Sequence, residues 1–397
     1  VVAALCVTET VTWGIVYYGF PVMLPPMERE TGWSRVAVTG AFSAGLGLAA
    51  LSGLPVGRWI DRHGARGVMT AGSCLATVLV LAWSRVQSLP GLYVVWCLMG
   101  LAMAATLYEP AFAAVVGWFP GRHRDRALLT VTLIAGFAST IFMPLEAWLL
   151  TRWGWRATLQ ILAVILAVLT VPLHALVLRP PPRRDRSGAG EPGPVPLTGL
   201  TLGAAARTPV FWVLAGAFFV GNFTTNSVTV HLIPYLSGRG YSPTVAAVMI
   251  GWMGAMQVPA RVVFAPVAAR FGHRAVTAVI FLVQAAALVQ LALAGALPTL
   301  VPMVVMLGAA NGMSTLARAT TVAEIFGPRQ YGAIAGAVAM GANGARALAP
   351  VGAAALQVAL GNYERVFWLL AAALLTAGLA VRLTPADHSV ASATHRP

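Results

Sequence analysis

Long apolar runs separated by short polar connections dominate the chain. They occupy roughly residues 2–26, 36–57, 67–84, 90–118, 127–150 and 156–178, and then roughly 209–236, 244–267, 275–296, 299–323, 332–358 and 363–383. A helix needs about 20 apolar residues to cross the hydrocarbon core of a bilayer. Inside that core the backbone must satisfy its own hydrogen bonds, so spanning segments are helices or closed barrels. The runs are continuous rather than alternating, which argues against barrel strands. The pattern therefore predicts an all-α membrane protein with twelve transmembrane helices. Between the two sets, residues 179–207 carry Pro180-Pro-Pro182, Arg183-Arg184, Gly188, Gly190 and Glu191, a composition that cannot bury a core. The expected organisation is a six-helix bundle at 1–178, a flexible linker at 179–207, a second six-helix bundle at 208–384 and a tail at 385–397.

An internal repeat relates the two sets. Pro26, Gly32 and Ser34 recur as Pro234, Gly240 and Ser242, and Gly64 and Arg66 recur as Gly272 and Arg274, each at an offset of 208 residues. Phe119 and Arg122 recur as Phe326 and Arg329 at an offset of 207. One register kept across separate loops points to duplication and to two pseudo-symmetric halves, as in many secondary transporters.

Composition agrees with the pattern and then adds an orientation. The chain is 58% hydrophobic and 10% charged, whereas soluble domains are about half apolar and a quarter charged. The formal charge of +14 invites a nucleic-acid reading, but it is better explained by the positive bias of cytoplasmic loops. All 26 basic residues are arginine, so every basic site is a fixed cation. With the N-terminus inside, sixteen arginines fall on the cytoplasmic loops, linker and tail, seven on the opposite side and three within helices. This places the chain across the cytoplasmic (plasma) membrane with both termini cytoplasmic. Val1 lies inside an apolar run, so upstream residues are expected, and the first helix serves as the insertion signal. Cys6, Cys74 and Cys97 lack CxxC spacing and read as packing residues rather than disulfides or metal ligands. There is no HExxH, P-loop or G-x-S-x-G motif, and the expectation is a monomeric non-enzyme without cofactor or metal.

The connection between the second and third helices reads Gly57-Arg58-Trp59-Ile60-Asp61-Arg62-His63-Gly64-Ala65-Arg66. It resembles the signature loop of the major facilitator superfamily, G-x-x-x-D-R-x-G-R-R, with Ala65 in place of one basic residue. The resemblance implies a conformational latch built from Gly57, Asp61, Arg62, Gly64 and Arg66, the acid resting against helix N-termini and neighbouring arginines. The second copy, at residues 265–274, lacks the acid. Shorter patches are similar to the monocarboxylate carriers and the bacterial oxalate/formate exchangers. These are Tyr18-Gly-Phe-Pro21, Ala260-Arg261, His231-Leu-Ile-Pro-Tyr235 and Phe326-Gly-Pro-Arg-Gln-Tyr331-Gly. In that branch the arginine corresponding to Arg261 pairs with the substrate carboxylate. Val22 and Gln257 replace a lysine and an aspartate tied to proton coupling there, so the resemblance implies carboxylate recognition but not proton symport.

Ionisable groups inside a bilayer are costly and usually face a partner or a water-filled cavity. Arg261, Arg318 and Arg346 fall within helices 8, 10 and 11, and a guanidinium fork matches a carboxylate. The alternative is a structural ion pair. Glu109 and Glu9 are the deepest acids: Glu109 is either a proton carrier or the counter-ion of Arg318, and Glu9 lies in the first helix. Glu146 and His174 lie near helix ends and are expected to be interfacial. Tyr17, Tyr18, Asn222, Asn226 and His231 complete the candidate solute contacts, against a reading as packing and helix–helix hydrogen bonding. The leading functional expectation is a secondary transporter of a small organic anion, a monocarboxylate or dicarboxylate, with protons as a candidate second ligand. The rivals are a drug or metabolite exporter of the same fold and a transport-dead sensor or assembly partner. Helix 5 lacks the G-x-x-x-G-P pattern usual in the proton-antiporting exporters of the superfamily.

Overall fold

A computed structural model describes residues 1–178, 199–241, 243–294 and 296–384; the greater part of the expected linker, 179–198, and the expected tail, 385–397, lie outside the described residues. Twelve membrane-crossing helices account for nearly all of it. Helix α1 comprises Val2–Thr12, a π-helical turn Trp13–Tyr18 and Gly19–Thr31; α2 is Arg35–His63 and α3 Ala65–Trp83. Helix α4 is interrupted, Leu89–Thr106 and Tyr108–Trp118. Helices α5 and α6 occupy 121–153 and 155–177, divided at Gly154, whose φ is 72°. Then follow α7 Pro209–Ser237, α8 Pro243–Phe271, α9 His273–Leu293, α10 Val301–Phe326, α11 Tyr331–Leu360 and α12 Tyr363–Leu383. Among the described residues, nine continuous stretches are long and apolar enough to span on those grounds alone. One of them contains both α5 and α6; the broken α1 and the Gly- and Ala-rich α11 complete the twelve.

Local sequence explains where the helices begin and turn. Ser34, Ser88, Thr208 and Asn362 cap α2, α4, α7 and α12 by accepting a backbone N–H three residues on, satisfying one otherwise unpaired donor. Gly32 and Gly64 have φ of 71° and 80°, and their repeat partners Gly240 and Gly272 both have 83°. Only glycine adopts that left-handed region cheaply, so the repeat preserves the turns.

The described residues form two compact units: Val1–Leu202 with Phe326–Ala337, and Gly203–Ile325 with Val338–Pro397. The short segment 326–337 thus packs with the first unit although it belongs in sequence to the second half. The first unit buries Trp83, Trp96, Phe20, Met23 and Met27 at its centre, with Phe20 stacked on Phe42 at 4.4 Å between ring centroids. The second centres on Phe218 and Phe281 and on Tyr235 against Phe367.

Part of the expected linker is held. Leu200 N–H bonds the Phe326 carbonyl at 2.8 Å, Leu202 N–H bonds Gln330 Oε1 at 2.8 Å, and Leu202–Ala206 is a short helix. Polar composition alone could not show this, because the partners lie more than a hundred residues away.

Candidate functional site

In the first unit, proline chemistry shapes two helices. Pro21 has no N–H to offer the carbonyl one turn earlier, and immediately before it the ladder widens into the π turn Trp13–Tyr18. Such π turns recur at functional sites. Pro110 falls in the first turn of Tyr108–Trp118, where its missing N–H costs nothing, and α4 therefore breaks at Leu107. That break places Tyr108 and Glu109 at a helix N-terminus, which favours a negative charge.

The two irregularities meet. Trp13 lies 5.1 Å from Tyr17 and 5.0 Å from Tyr108, and Tyr17 lies 5.2 Å from Tyr18, all as ring-centroid distances. Glu9, one turn before Trp13, is fully buried and near enough to Glu109 for the two charges to act on each other. The Trp13 indole N–H lies on the same side but stops short of hydrogen-bond geometry with Glu9. The structure thus brings together four sequence candidates, Glu9, Tyr17, Tyr18 and Glu109, and adds Trp13 and Tyr108.

In the second unit, α8 and α10 approach through glycine. A Cβ on Gly312 would lie 2.6 Å from the Cα of Gln257, and one on Gly308 would lie 3.0 Å from the Cα of Met253. Both contacts have the same residue offset, so the helices run parallel, and Arg261 falls level with Leu316. Arg318 is two residues further, about 3 Å along the axis at 1.5 Å per residue. Arg261 is only 8% exposed, and its Nη2 lies 3.5 Å from Gln257 Oε1. Arg346 stands half-buried midway along α11.

The polar face of α7 is largely engaged internally. Asn222 and Asn226 donate to the carbonyls one turn earlier, at 2.9 and 2.8 Å. His231 contacts Tyr363 Oη through Nδ1 at 3.0 Å and the Pro350 carbonyl through Nε2 at 2.9 Å. It therefore ties α7 to α11 and α12.

The signature loop makes a defined contact. Asp61 Oδ1 accepts the Gly332 N–H at 2.8 Å, and Oδ2 accepts the Ala333 N–H at 2.7 Å. These are first-turn donors of α11 without a partner in their own helix, and the helix dipole favours the carboxylate. Beneath them, Gly53-x3-Gly57 faces Gly332-x3-Gly336; a Cβ on Gly332 would come within 2.6 Å of the Gly57 carbonyl oxygen. Paired small residues let the two backbones touch. Gly64 forms the adjoining turn, whereas Arg62 and Arg66 are exposed.

Two expectations are corrected. Glu146 and His174 are not interfacial: both are fully buried. His174 Nδ1 bonds Ser73 Oγ at 2.8 Å, and Glu146 faces α1 at Gly19, where the absent side chain leaves room. Hydropathy cannot reveal which face of a helix end is covered. The one visible clue was Gly19 beside the proline-rich stretch.

The chain is 29% identical over 238 residues to the oxalate:formate antiporter of Oxalobacter formigenes, covering 59% of this chain and 54% of that protein. It is 27% identical over 226 residues to monocarboxylate transporter 13 of Bos taurus, covering 56% and 51%. The chain thus spans about half the length of the curated relatives it matches. The fucose:proton symporter FucP of E. coli has the same fold, with a TM-score of 0.75 at 15% identity over 97% of this chain and 98% of that one. The family profile described as Major Facilitator Superfamily matches residues 10–350 and, in a second match, 240–396. The chain therefore belongs to the major facilitator superfamily.

Proposed function

We propose that this transporter moves a small organic anion, a monocarboxylate or dicarboxylate, by alternating access across the cytoplasmic membrane, with both termini cytoplasmic. The observation that carries the reading is the pair of fixed cations, Arg261 and Arg318, at one level of adjacent, glycine-packed helices. Two guanidinium forks in a low-dielectric setting suit one or two carboxylates far better than a neutral solute. The likeness to an oxalate:formate antiporter and to a monocarboxylate transporter points the same way. Arg346 supplies a third cation on α11.

In this reading Tyr17, Tyr18, Trp13 and Tyr108 form an aromatic wall within the first unit, where Glu109 sits at a helix N-terminus and Glu9 is buried near it. Asn222 and Asn226 contribute polar surface, and His231 braces α7 rather than touching solute. Asp61 acts as a breakable latch on α11, with Gly53 and Gly57 setting the close approach and Gly64 the turn. The protein acts as a monomer.

A ligand that binds only the folded protein raises its apparent stability, by about 2.7 kcal/mol at a hundredfold excess over Kd. Oxalate, formate and lactate are therefore screened by thermal shift on the purified protein. At least one should raise Tm in the native chain and fail to do so in Arg261→Ala. A flat response to all organic acids, or an equal shift in the variant, removes the anion assignment.

A further inference from the structure

We propose that Glu146 is the residue that binds the proton coupled to transport; this rests on the transporter reading above. Glu146 sits on α5, fully buried, and among the described residues no hydrogen-bond donor reaches either carboxyl oxygen. Its Oε1 lies 3.0 Å from where a Cβ on Gly19 would stand, so it presses on the backbone of α1 directly after the π turn. One helical turn away, Phe142 fills the corresponding place against Gly14. The acid is therefore enclosed by α1 rather than turned to a helix end.

Charged and titratable groups on the packed elements do not neutralise it. On α1 these are Cys6, Glu9, Tyr17 and Tyr18 near the π turn, with Glu28, Arg29 and Glu30 at its far end. On α3 they are Arg66 and Cys74, and on α6 Arg156 and His174. Glu30 is held by Arg156, His174 bonds Ser73, and none of these groups bonds Glu146. Glu9 differs from Glu146 in having the Glu109 charge nearby.

An ionised carboxyl without a counter-charge or donor in such a place is too costly to persist, and an intramembrane acid of this kind is functional by default. The neutral acid fits the site as it stands. Rewinding of the π turn would shift Gly19 and the rest of α1 relative to α5, opening the acid to water. There the O–H bond breaks and the proton passes to water, leaving the carboxylate; on return, a proton from the opposite side restores the acid. One proton is carried for each such cycle, with no other reactant.

The test uses the full chain in proteoliposomes with labelled oxalate, and with lactate as a second probe, comparing the native protein with Glu146→Gln and Glu9→Gln. Glu146→Gln should keep anion counterflow, which needs no net proton movement, and lose the uptake driven by an imposed proton gradient. Gradient-driven uptake that survives in Glu146→Gln, or that is lost only in Glu9→Gln, overturns the proposal. A native protein that exchanges anions but ignores the gradient overturns it too, while sparing the anion assignment. Infrared spectroscopy gives a readout independent of substrate: the carbonyl band of protonated carboxylic acids should be present in the native protein and lose the intensity of one group in Glu146→Gln, since Glu9 is buried too. An unchanged band contradicts the proposal even if no anion is transported. If Glu146→Gln does not fold, Glu146→Asp should retain coupling with a shifted pH profile, and an unshifted profile counts against the proposal.

Discussion

At one end of the first unit Arg156, at the start of α6, pairs with Glu30 at the end of α1 at 2.8 Å and bonds the carbonyls of Ser84 and Val86. In the second unit Glu364, at the start of α12, pairs with Arg239 just beyond α7 at 2.9 Å, and Arg239 bonds the carbonyl of Ala294. Residues 156 and 364, like 86 and 294, are 208 apart. The two halves make the same clamp with the charges exchanged. In both, the guanidinium also lies over an aromatic ring, that of Trp155 or Tyr235. Duplication preserved the joint, and the sign of each partner was free to change because only their pairing matters.

The latch teaches the opposite lesson. Gly64 and Gly272 keep the same turn, yet Asp61 corresponds to Ala269. A helix N-terminus requires an acceptor, so no exchange of charge could replace the acid, and the second copy simply lacks the contact. The intramembrane arginines are likewise confined to the second half. Structural joints are symmetric in this molecule, whereas the acid at the helix end and the intramembrane arginines are not.

Substitutions can break this contrast at several strengths. Gly57→Leu should have the largest effect, because any side chain there meets the backbone of Gly332. Transport should be lost, and amide hydrogen exchange over residues 331–337 should accelerate. Asp61→Asn keeps the shape of the side chain but loses the charge, and should cost about 1–2 kcal/mol of the latch, read as faster exchange at the Gly332 and Ala333 amides. Ala269→Asp should not compensate, since the acid acts from one half only.

Smaller effects belong to the clamps, which are partly exposed and so worth about 1 kcal/mol or less. Arg156→Glu should lower Tm, and adding Glu30→Arg should restore most of the loss by reproducing the charge order of the second half. A double variant no better than the single would show that the sign is not exchangeable. The smallest effect is on pH. The Arg156 guanidinium, chiefly by hydrogen bonding, holds the Glu30 carboxyl below its usual range. Its contribution to stability is therefore complete above the ordinary glutamate range and is lost as pH falls through the lowered folded value. Arg156→Ala should flatten that part of the Tm–pH curve.

Much of the architecture was legible because bilayer crossing imposes a simple rule on composition, and the offset of 208 made the halves visible. Gly32, Gly64, Gly240 and Gly272 announced their turns. Glu9, Tyr17, Tyr18 and Glu109 could be singled out because polar or aromatic groups are conspicuous in apolar helices. The burial of Glu146 could not be read, since it depends on which face of α5 meets α1. Nor could the pairing of residues 199–202 with 326–330, or the inward role of His231, because these are contacts between distant segments with no local signature.

The central claim is that arginines of the second half bind the carboxylate of the transported solute. Its most direct test is the uptake of labelled oxalate and lactate by proteoliposomes bearing the native protein, Arg261→Ala or Arg261→Lys. A charge-assisted hydrogen bond is worth about 1.5–3 kcal/mol, so Arg261→Ala should raise KM roughly 10- to 100-fold, with Arg261→Lys in between because the charge remains without the planar fork. Uptake that is undetectable in the native protein, or equal in all three, would contradict the account.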